Sequence, residues 1–273
     1  MTTHLPKDVV VGALTAEFGV VDALLAELRP EDWEAPTPCP GWDVRAQVAH
    51  LIGTESMLEG IEAPVALDDI VRGDHVHNDI GAFNEQWIAG LAEATPDELR
   101  QRFHAITTTR LAALDAIDDE GWAKESFTPA GPDSYGRFMR IRVMDTWMHE
   151  QDIRDAVGRP GHVEGPAVEL VLDEMQAAMG FVVGKKAGAP SGSRVTLDLT
   201  GPSGRQIHVA VDERAAVVDQ LDRPADVVLR MPVHTFSRLG GGRSNAPDLR
   251  STIEVEGDAE LGEQIISRLG YMI

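Results

Sequence analysis

Apolar residues recur every three or four positions through the first two thirds of the chain, which is the spacing of one face of an α-helix. The stretch 6–28 follows this pattern and ends before Pro30. Similar patterns predict helices over 44–60, 80–94, 95–117, 135–157 and 166–183. The stretch 61–78 has no such pattern, and we interpret it as a loop or an insertion.

Local signals mark the ends of several helices. Asp43 offers a side-chain cap to the second helix, and Thr95 to Glu98 has the form of a capping box with proline at the first helical position. Gly158 ends the fifth helix. Four long helices joined in this way predict an up-down four-helix bundle, a fold that builds metal sites from inward-facing side chains. The helix at 166–183 is expected to pack on this bundle.

The pattern changes after 185–192, a stretch with the composition of a linker. Apolar and polar residues alternate over 194–200 and 206–211, which predicts a hairpin. Further strands and helices are predicted at 226–230, 233–239, 252–256 and 259–269. The predicted fold class is therefore α+β, with a helical domain at 1–185 and a small α+β domain at 194–273.

The chain is strongly acidic, with a formal net charge of -21. Such a charge repels phosphate backbones and anionic membrane surfaces, so we expect neither nucleic acid nor a membrane as a partner. A hydrophobic content of 43% in 273 residues is enough for two domains with cores of their own. The oligomeric state stays open.

Two features bear on the compartment. The sequence has no apolar run approaching the roughly 18 to 20 residues that span a bilayer, and its N-terminus lacks a basic stretch followed by an apolar one. Its single cysteine, Cys39, cannot form an internal disulfide, which agrees with a reducing compartment. These features predict a cytoplasmic protein.

The functional prediction depends on Asp145 and His149. They lie four positions apart in the predicted helix 135–157, so their side chains project from one face about one turn apart. A carboxylate and an imidazole at this spacing supply two metal ligands, and His50, on another core-facing helix, is the candidate third. Three such ligands leave positions open for water or substrate, and their types suit zinc or non-haem iron.

Simpler interpretations exist for these residues. An aspartate and a histidine at this spacing commonly form an intrahelical ion pair, and a histidine among apolar neighbours is commonly a hydrogen-bonded core residue. His75 and His77 lie near Asp74 and Asp79, where solvent exposure is the simplest expectation and a second metal site is the alternative. Spacing alone therefore leaves the metal site open.

Two segments resemble the metal-binding helices of the mycothiol-dependent maleylpyruvate isomerase family: residues 38–51, PCPGWDVRAQVAHL, and residues 143–154, VMDTWMHEQDIR. That family belongs to the DinB-like four-helix bundles and tends to carry a small C-terminal α/β domain related to sterol-carrier folds, which residues 226–259 resemble here. The resemblance implies a divalent metal held by His50, Asp145 and His149. The characterised isomerases have glutamate where this chain has the shorter aspartate.

The resemblance also implies a thiol-dependent enzyme with mycothiol as its cosubstrate. The metal would lower the pKa of the thiol so that it is deprotonated at neutral pH. Zinc is the first candidate for this metal, and nickel, iron and manganese are the alternatives. In the isomerases the thiolate adds to the activated double bond of maleylpyruvate, the central bond rotates, and elimination gives the trans isomer. Transferase relatives release the adduct. The implied substrate is a small electrophile, with anionic molecules among the candidates.

Two further residues belong to the predicted site. Asp152, three positions after His149, is predicted to orient that ligand or to accept a proton in catalysis, with an ion pair to Arg142 or Arg154 as the alternative. Arg243 resembles part of the family's C-terminal Gly-Arg segment, which implies a catalytic or cofactor-binding role toward an anionic molecule. The alternative is a plain loop arginine.

Other functions are compatible with the same ligands. A hydrolase that activates water and an iron enzyme that uses oxygen would both accept them. A third interpretation is a non-catalytic protein whose C-terminal domain holds an apolar ligand, the metal site then being vestigial or structural. Trp42 and Trp147 are expected as core aromatics, with a wall of the site as the alternative.

Overall fold

The computed structural model describes residues 2–243 and 249–272 and divides into two compact units. The first ends at Gly161 and the second begins at His162. The predicted α+β class is confirmed, because the first unit is almost wholly helical and the second contains a five-stranded sheet. The division lies earlier in the chain than the linker at 185–192.

The helical unit contains α1 (Lys7–Ala26), α2 (Val44–Leu58), α3 (Asp79–Gly90), α4 (Pro96–Ala116), α5 (Asp119–Ala123) and α6 (Tyr135–Val157). Two short strands, β1 (Glu125–Ser126) and β2 (Asp133–Ser134), pair antiparallel before α6. α1 and α2 each contact both α4 and α6, so these four helices form a closed ring of contacts. α3 contacts α2, which carries His50.

The predicted caps of these helices are confirmed. The Asp43 side chain accepts a hydrogen bond from the backbone N–H of Ala46 at the start of α2. Thr95 and Glu98 form the reciprocal capping box at the start of α4. α6 ends at Gly158, whose φ of 66° is a left-handed conformation that glycine adopts without strain.

Among the described residues, α1 is long and apolar enough to cross a membrane by length and composition alone. The expectation that no such segment exists was therefore wrong. Core helices of soluble proteins meet the same test, and α1 packs against α4 and α6. Its buried apolar residues are Val10, Ala13, Leu14, Phe18, Val21, Leu24 and Leu25. These contacts are those of a core helix.

The second unit contains α7 (Pro166–Phe181), β3 (Arg194–Thr200), β4 (Gln206–Val211), β5 (Ala215–Val218), β6 (Val227–Pro232), α8 (Val233–Gly240), β7 (Glu254–Gly257) and α9 (Ala259–Ile266). The strand order is β5-β4-β3-β6-β7, in which β3 and β6 are parallel and the other neighbours antiparallel. The predicted hairpin is β3 and β4. Alternate residues of these strands, such as Val195, Leu197 and Leu199, are buried.

α7 is the helix expected to pack on the bundle, and it contacts β4 and β5 of the second unit. Its buried side includes Val168, Leu172, Met175 and Met179. An amphipathic pattern shows that a helix has a buried side but not which neighbour covers that side. The linker-like composition of 185–192 predicts a domain boundary after α7, whereas the structure includes α7 in the second unit, which begins at His162.

We predict that Asp133 stabilises the fold in a pH-dependent way. Burial alone would raise the pKa of its carboxyl, but the backbone N–H groups of Thr3 and Ser134 and the guanidinium of Arg137 hold the pKa far below its usual range. A depressed pKa in the folded state gives stability that is present above about pH 4 and is lost as the pH falls further. Asp133→Asn should therefore unfold at lower urea than the wild type at pH 7, and the difference should shrink below about pH 4.

The control for this experiment is Asp97→Asn, because Asp97 is 84% exposed and lies 4.0 Å from Arg100. Tryptophan fluorescence is a suitable probe, since all five tryptophans precede Gly158. A difference between Asp133→Asn and the wild type that stays constant from pH 7 to the acid limit would contradict this assignment.

Candidate metal centre

His50 on α2 and Asp145 and His149 on α6 converge at one point of the helical unit. Nε2 of His50 lies 3.1 Å from Oδ2 of Asp145, and Nε2 of His149 lies 3.5 Å from Oδ1 of the same carboxylate. One ligand atom from each residue lies within 4.8 Å of the others. Two atoms bound to a tetrahedral zinc ion at about 2.0–2.1 Å are roughly 3.3 Å apart, so these spacings fit a shared ion.

The surroundings of His50 and Asp145 favour the protonation states that bind a metal. Both histidines are buried, and the side chain of Asp145 is 30% exposed. Burial lowers the pKa of His50, which favours the neutral imidazole, although Asp145 opposes this effect. Burial alone would raise the pKa of Asp145, but Arg142, His50 and His149 hold it well below its usual range.

Buried polar groups on the other side of its ring orient His149. Its Nδ1 contacts Oε1 of Gln47 and lies 3.5 Å from Oδ2 of Asp152. Gln47 is itself held by a hydrogen bond of 2.7 Å from its Nε2 to Oγ1 of Thr37. A metal-bound histidine usually donates its other ring N–H to an oxygen, which fixes the ring and its tautomer. With Nδ1 facing these oxygens, Nε2 is the nitrogen that faces Asp145.

Trp42 covers both imidazoles. Its ring centroid lies 5.7 Å from that of His149 in a stacked arrangement and 5.1 Å from that of His50, and the two imidazole centroids are 4.5 Å apart. Trp42 is thus a buried aromatic, as expected, and its ring also lies against the imidazoles of the site. Trp147 is fully buried, as expected of a core aromatic.

The indole of Trp42 is fixed in turn by α3. Its Nε1 donates to Oε1 of Glu85 at 2.9 Å, and Nε2 of His75 lies 2.9 Å from the same oxygen. Gly41 has a φ of +83°, and a Cβ there would come within 2.5 Å of the His75 ring. His75 is therefore packed over the loop before α2 with 25% of its side chain exposed, whereas His77 is exposed, as expected. Within residues 2–243 and 249–272, neither His75 nor His77 belongs to a three-donor group that could hold an ion.

The structure places the two supporting residues in different units. Asp152 is fully buried beside His149, and Arg154 bonds Glu150. Arg243 is buried in the second unit, where its guanidinium donates to the carbonyl of Gly241. The roles of both residues remain predictions.

Sequence reasoning missed three buried polar residues near the ligands: Gln47, Glu55 and Arg142. Gln47 could have been found from its position one turn before His50, because a residue at that spacing shares the ligand's helix face. Arg142 lies at the same spacing before Asp145 and could have been found in the same way. Its pairing with Glu55 carried no local signal, because it joins α2 to α6 across 87 positions of sequence.

Two family profiles match the chain. The mycothiol maleylpyruvate isomerase N-terminal domain matches residues 14–154, and the MDMPI C-terminal domain matches residues 169–264. An uncharacterized protein of Mycobacterium tuberculosis, present in two strains, is 30% identical over 201 residues, which cover 71% of this chain and 74% of that protein.

Solved structures show the same fold at low identity. The crystal structure of the mycothiol-dependent maleylpyruvate isomerase covers 92% of this chain and 93% of its own, with 17% identity and a TM-score of 0.57. A histidine-to-alanine variant of that protein gives the same coverage and identity with a TM-score of 0.59. The two profile matches, the first of which spans more than half of the chain, show that the chain belongs to the mycothiol-dependent maleylpyruvate isomerase family.

Proposed function

We propose that this protein is a cytoplasmic enzyme that uses a divalent metal and mycothiol to isomerise a small electrophile or to conjugate the mycothiol thiol to it. The observation that carries the proposal is the convergence of His50, Asp145 and His149, with the second nitrogen of His149 held by Gln47. A three-ligand set leaves room for a further donor, as a catalytic site requires. A structural zinc site is more often closed by four ligands rich in cysteine, and this chain has one cysteine.

A divalent ion at this site, zinc first among the candidates, would lower the pKa of a bound thiol so that a thiolate is present at neutral pH. Gln47 and Asp152 keep the His149 ring turned toward the site. Trp42 covers the imidazoles with an apolar ring and excludes water from that side. The half-buried Asp145 leaves the site accessible to small molecules.

The reaction we propose begins when the thiolate sulfur forms a bond to one carbon of an activated double bond. The π electrons move to the activating carbonyl, and the former double bond can rotate. Expulsion of the thiolate restores the double bond in the other geometry, whereas uptake of a proton gives a stable conjugate. Arg243 is our candidate for binding an anionic substrate or cosubstrate, and Asp152 for orienting His149 or accepting a proton. Neither nucleic acid nor a membrane is a proposed partner.

The test is to measure the consumption of maleylpyruvate, and of a panel of other small electrophiles, with and without mycothiol and before and after removal of metal. We expect turnover that requires both and that returns when zinc is restored. Turnover that persists without any thiol would contradict the proposal and favour activated water. Iron in the purified protein with oxygen uptake would favour an oxygenase. If Asp145→Ala loses the metal but the wild type shows no measurable turnover, the result would favour a non-catalytic binding protein.

A further inference from the structure

Arg142 connects the ligand Asp145 to the helix that carries His50. Its Nη1 donates to Oδ2 of Asp145, one turn further along α6. Its Nε and Nη2 donate to Oε1 of Glu55 on α2 at 2.9 and 2.7 Å. Glu55 is fully buried and Arg142 nearly so. The ligand carboxylate is therefore tied to both ligand-bearing helices through a single guanidinium.

Only an arginine makes this connection. A guanidinium presents its N–H groups in a rigid fork and can bridge two carboxylates, whereas an ammonium is a compact charge on a flexible stem. The fork fixes the Asp145 carboxylate, since Oδ2 faces Arg142 while Oδ1 lies 3.5 Å from Nε2 of His149.

We propose that Arg142, anchored by Glu55, is a positioning residue that sets the orientation of Asp145 as a metal ligand. The inference rests on the metal site proposed above and adds a determinant of its geometry. The simpler alternative is that Arg142 only neutralises Glu55 in the core of the helical unit. Arg110, on α4, serves to separate the two roles, because it contacts the same buried carboxylate. Its guanidinium lies 3.4 Å from Oε2 of Glu55 and 3.0 Å from Oε1 of Glu59.

The experiment compares Arg142→Lys with Arg110→Lys. Both keep the positive charge, so a change in metal binding cannot come from altered net charge near the ion. Apo-protein is titrated with Co²⁺ in competition with a chelator, and the visible absorption of bound Co²⁺ reports ligand geometry. We expect Arg142→Lys to lose about tenfold or more in affinity and to change the spectrum, as is typical when a group that orients a ligand is removed. Arg110→Lys should keep both values even if its melting temperature falls.

Glu55→Gln is the second variant and keeps Arg142 in place while weakening its anchor. It should shift the Co²⁺ spectrum in the same direction as Arg142→Lys. If both Arg142→Lys and Glu55→Gln bind Co²⁺ with the affinity and spectrum of the wild type, the inference is overturned and the proposed metal site is not. Equal losses of Co²⁺ affinity in Arg142→Lys and Arg110→Lys would have the same meaning. A wild-type protein that binds no Co²⁺ would overturn the proposed metal site and this inference with it.

Discussion

Replacing His149 by alanine should lower the affinity for a divalent metal by about 100-fold or more. Loss of a residue that only orients a ligand typically costs 10–100-fold, and His149 is itself a proposed ligand whose ring is fixed by Gln47 and Trp42. The measurement is the metal content of the variant and the wild type after dialysis, together with a chelator competition.

The matched control is His104→Ala. His104 lies on α4 of the same unit, its side chain is 70% exposed, and it pairs with Asp22 at 3.5 Å. It should keep the wild-type metal content. Equal metal in His149→Ala and the wild type would show that His149 is a core histidine, which was the simpler interpretation of its sequence position.

The largest effect on stability is expected for Phe103→Ala in α4. Phe103 is fully buried and meets Phe18 of α1 edge to face, with ring centroids 6.1 Å apart. Truncating a buried phenylalanine leaves a cavity and costs about 3–5 kcal/mol in the free energy of unfolding. Urea unfolding followed by tryptophan fluorescence measures this cost for the helical unit, which contains all five tryptophans.

Phe127→Ala serves as the control for this stability measurement. Phe127 follows β1, is 70% exposed and buries little surface, so its loss should change the free energy of unfolding by less than about 0.5 kcal/mol. Similar unfolding midpoints for Phe103→Ala and Phe127→Ala would mean that the contact between α1 and α4 does not contribute as the structure indicates.

The helices of this protein were predictable because their signals are local. The cap at Asp43, the capping box at Thr95 and the stop at Gly158 each depend on a few neighbouring residues, and the structure has all three. The spacing of Asp145 and His149 is likewise a property of one helix. β5 was not predicted, because its four residues AAVV do not alternate between apolar and polar.

The rest of the site depends on contacts between distant segments. His50 meets the other two ligands because α2 contacts α6. The resemblance of residues 38–51 and 143–154 to known metal-binding helices implied this contact, whereas the spacing of residues in the sequence did not. The sequence pattern did not predict the pairing of Glu55 with Arg142, because the sequence does not distinguish a charged residue that is buried from one that is exposed. Pairing decides whether such charges can be buried, and pairing is a property of the fold.

We propose that His50, Asp145 and His149 hold one divalent ion with a position open to sulfur. X-ray absorption at the zinc edge of the zinc-loaded protein tests this most directly. We expect two imidazole nitrogens and a carboxylate oxygen at about 2.0–2.2 Å from zinc, and an additional sulfur at about 2.3 Å once mycothiol is added. A zinc spectrum without imidazole, or one that mycothiol leaves unchanged, would contradict it.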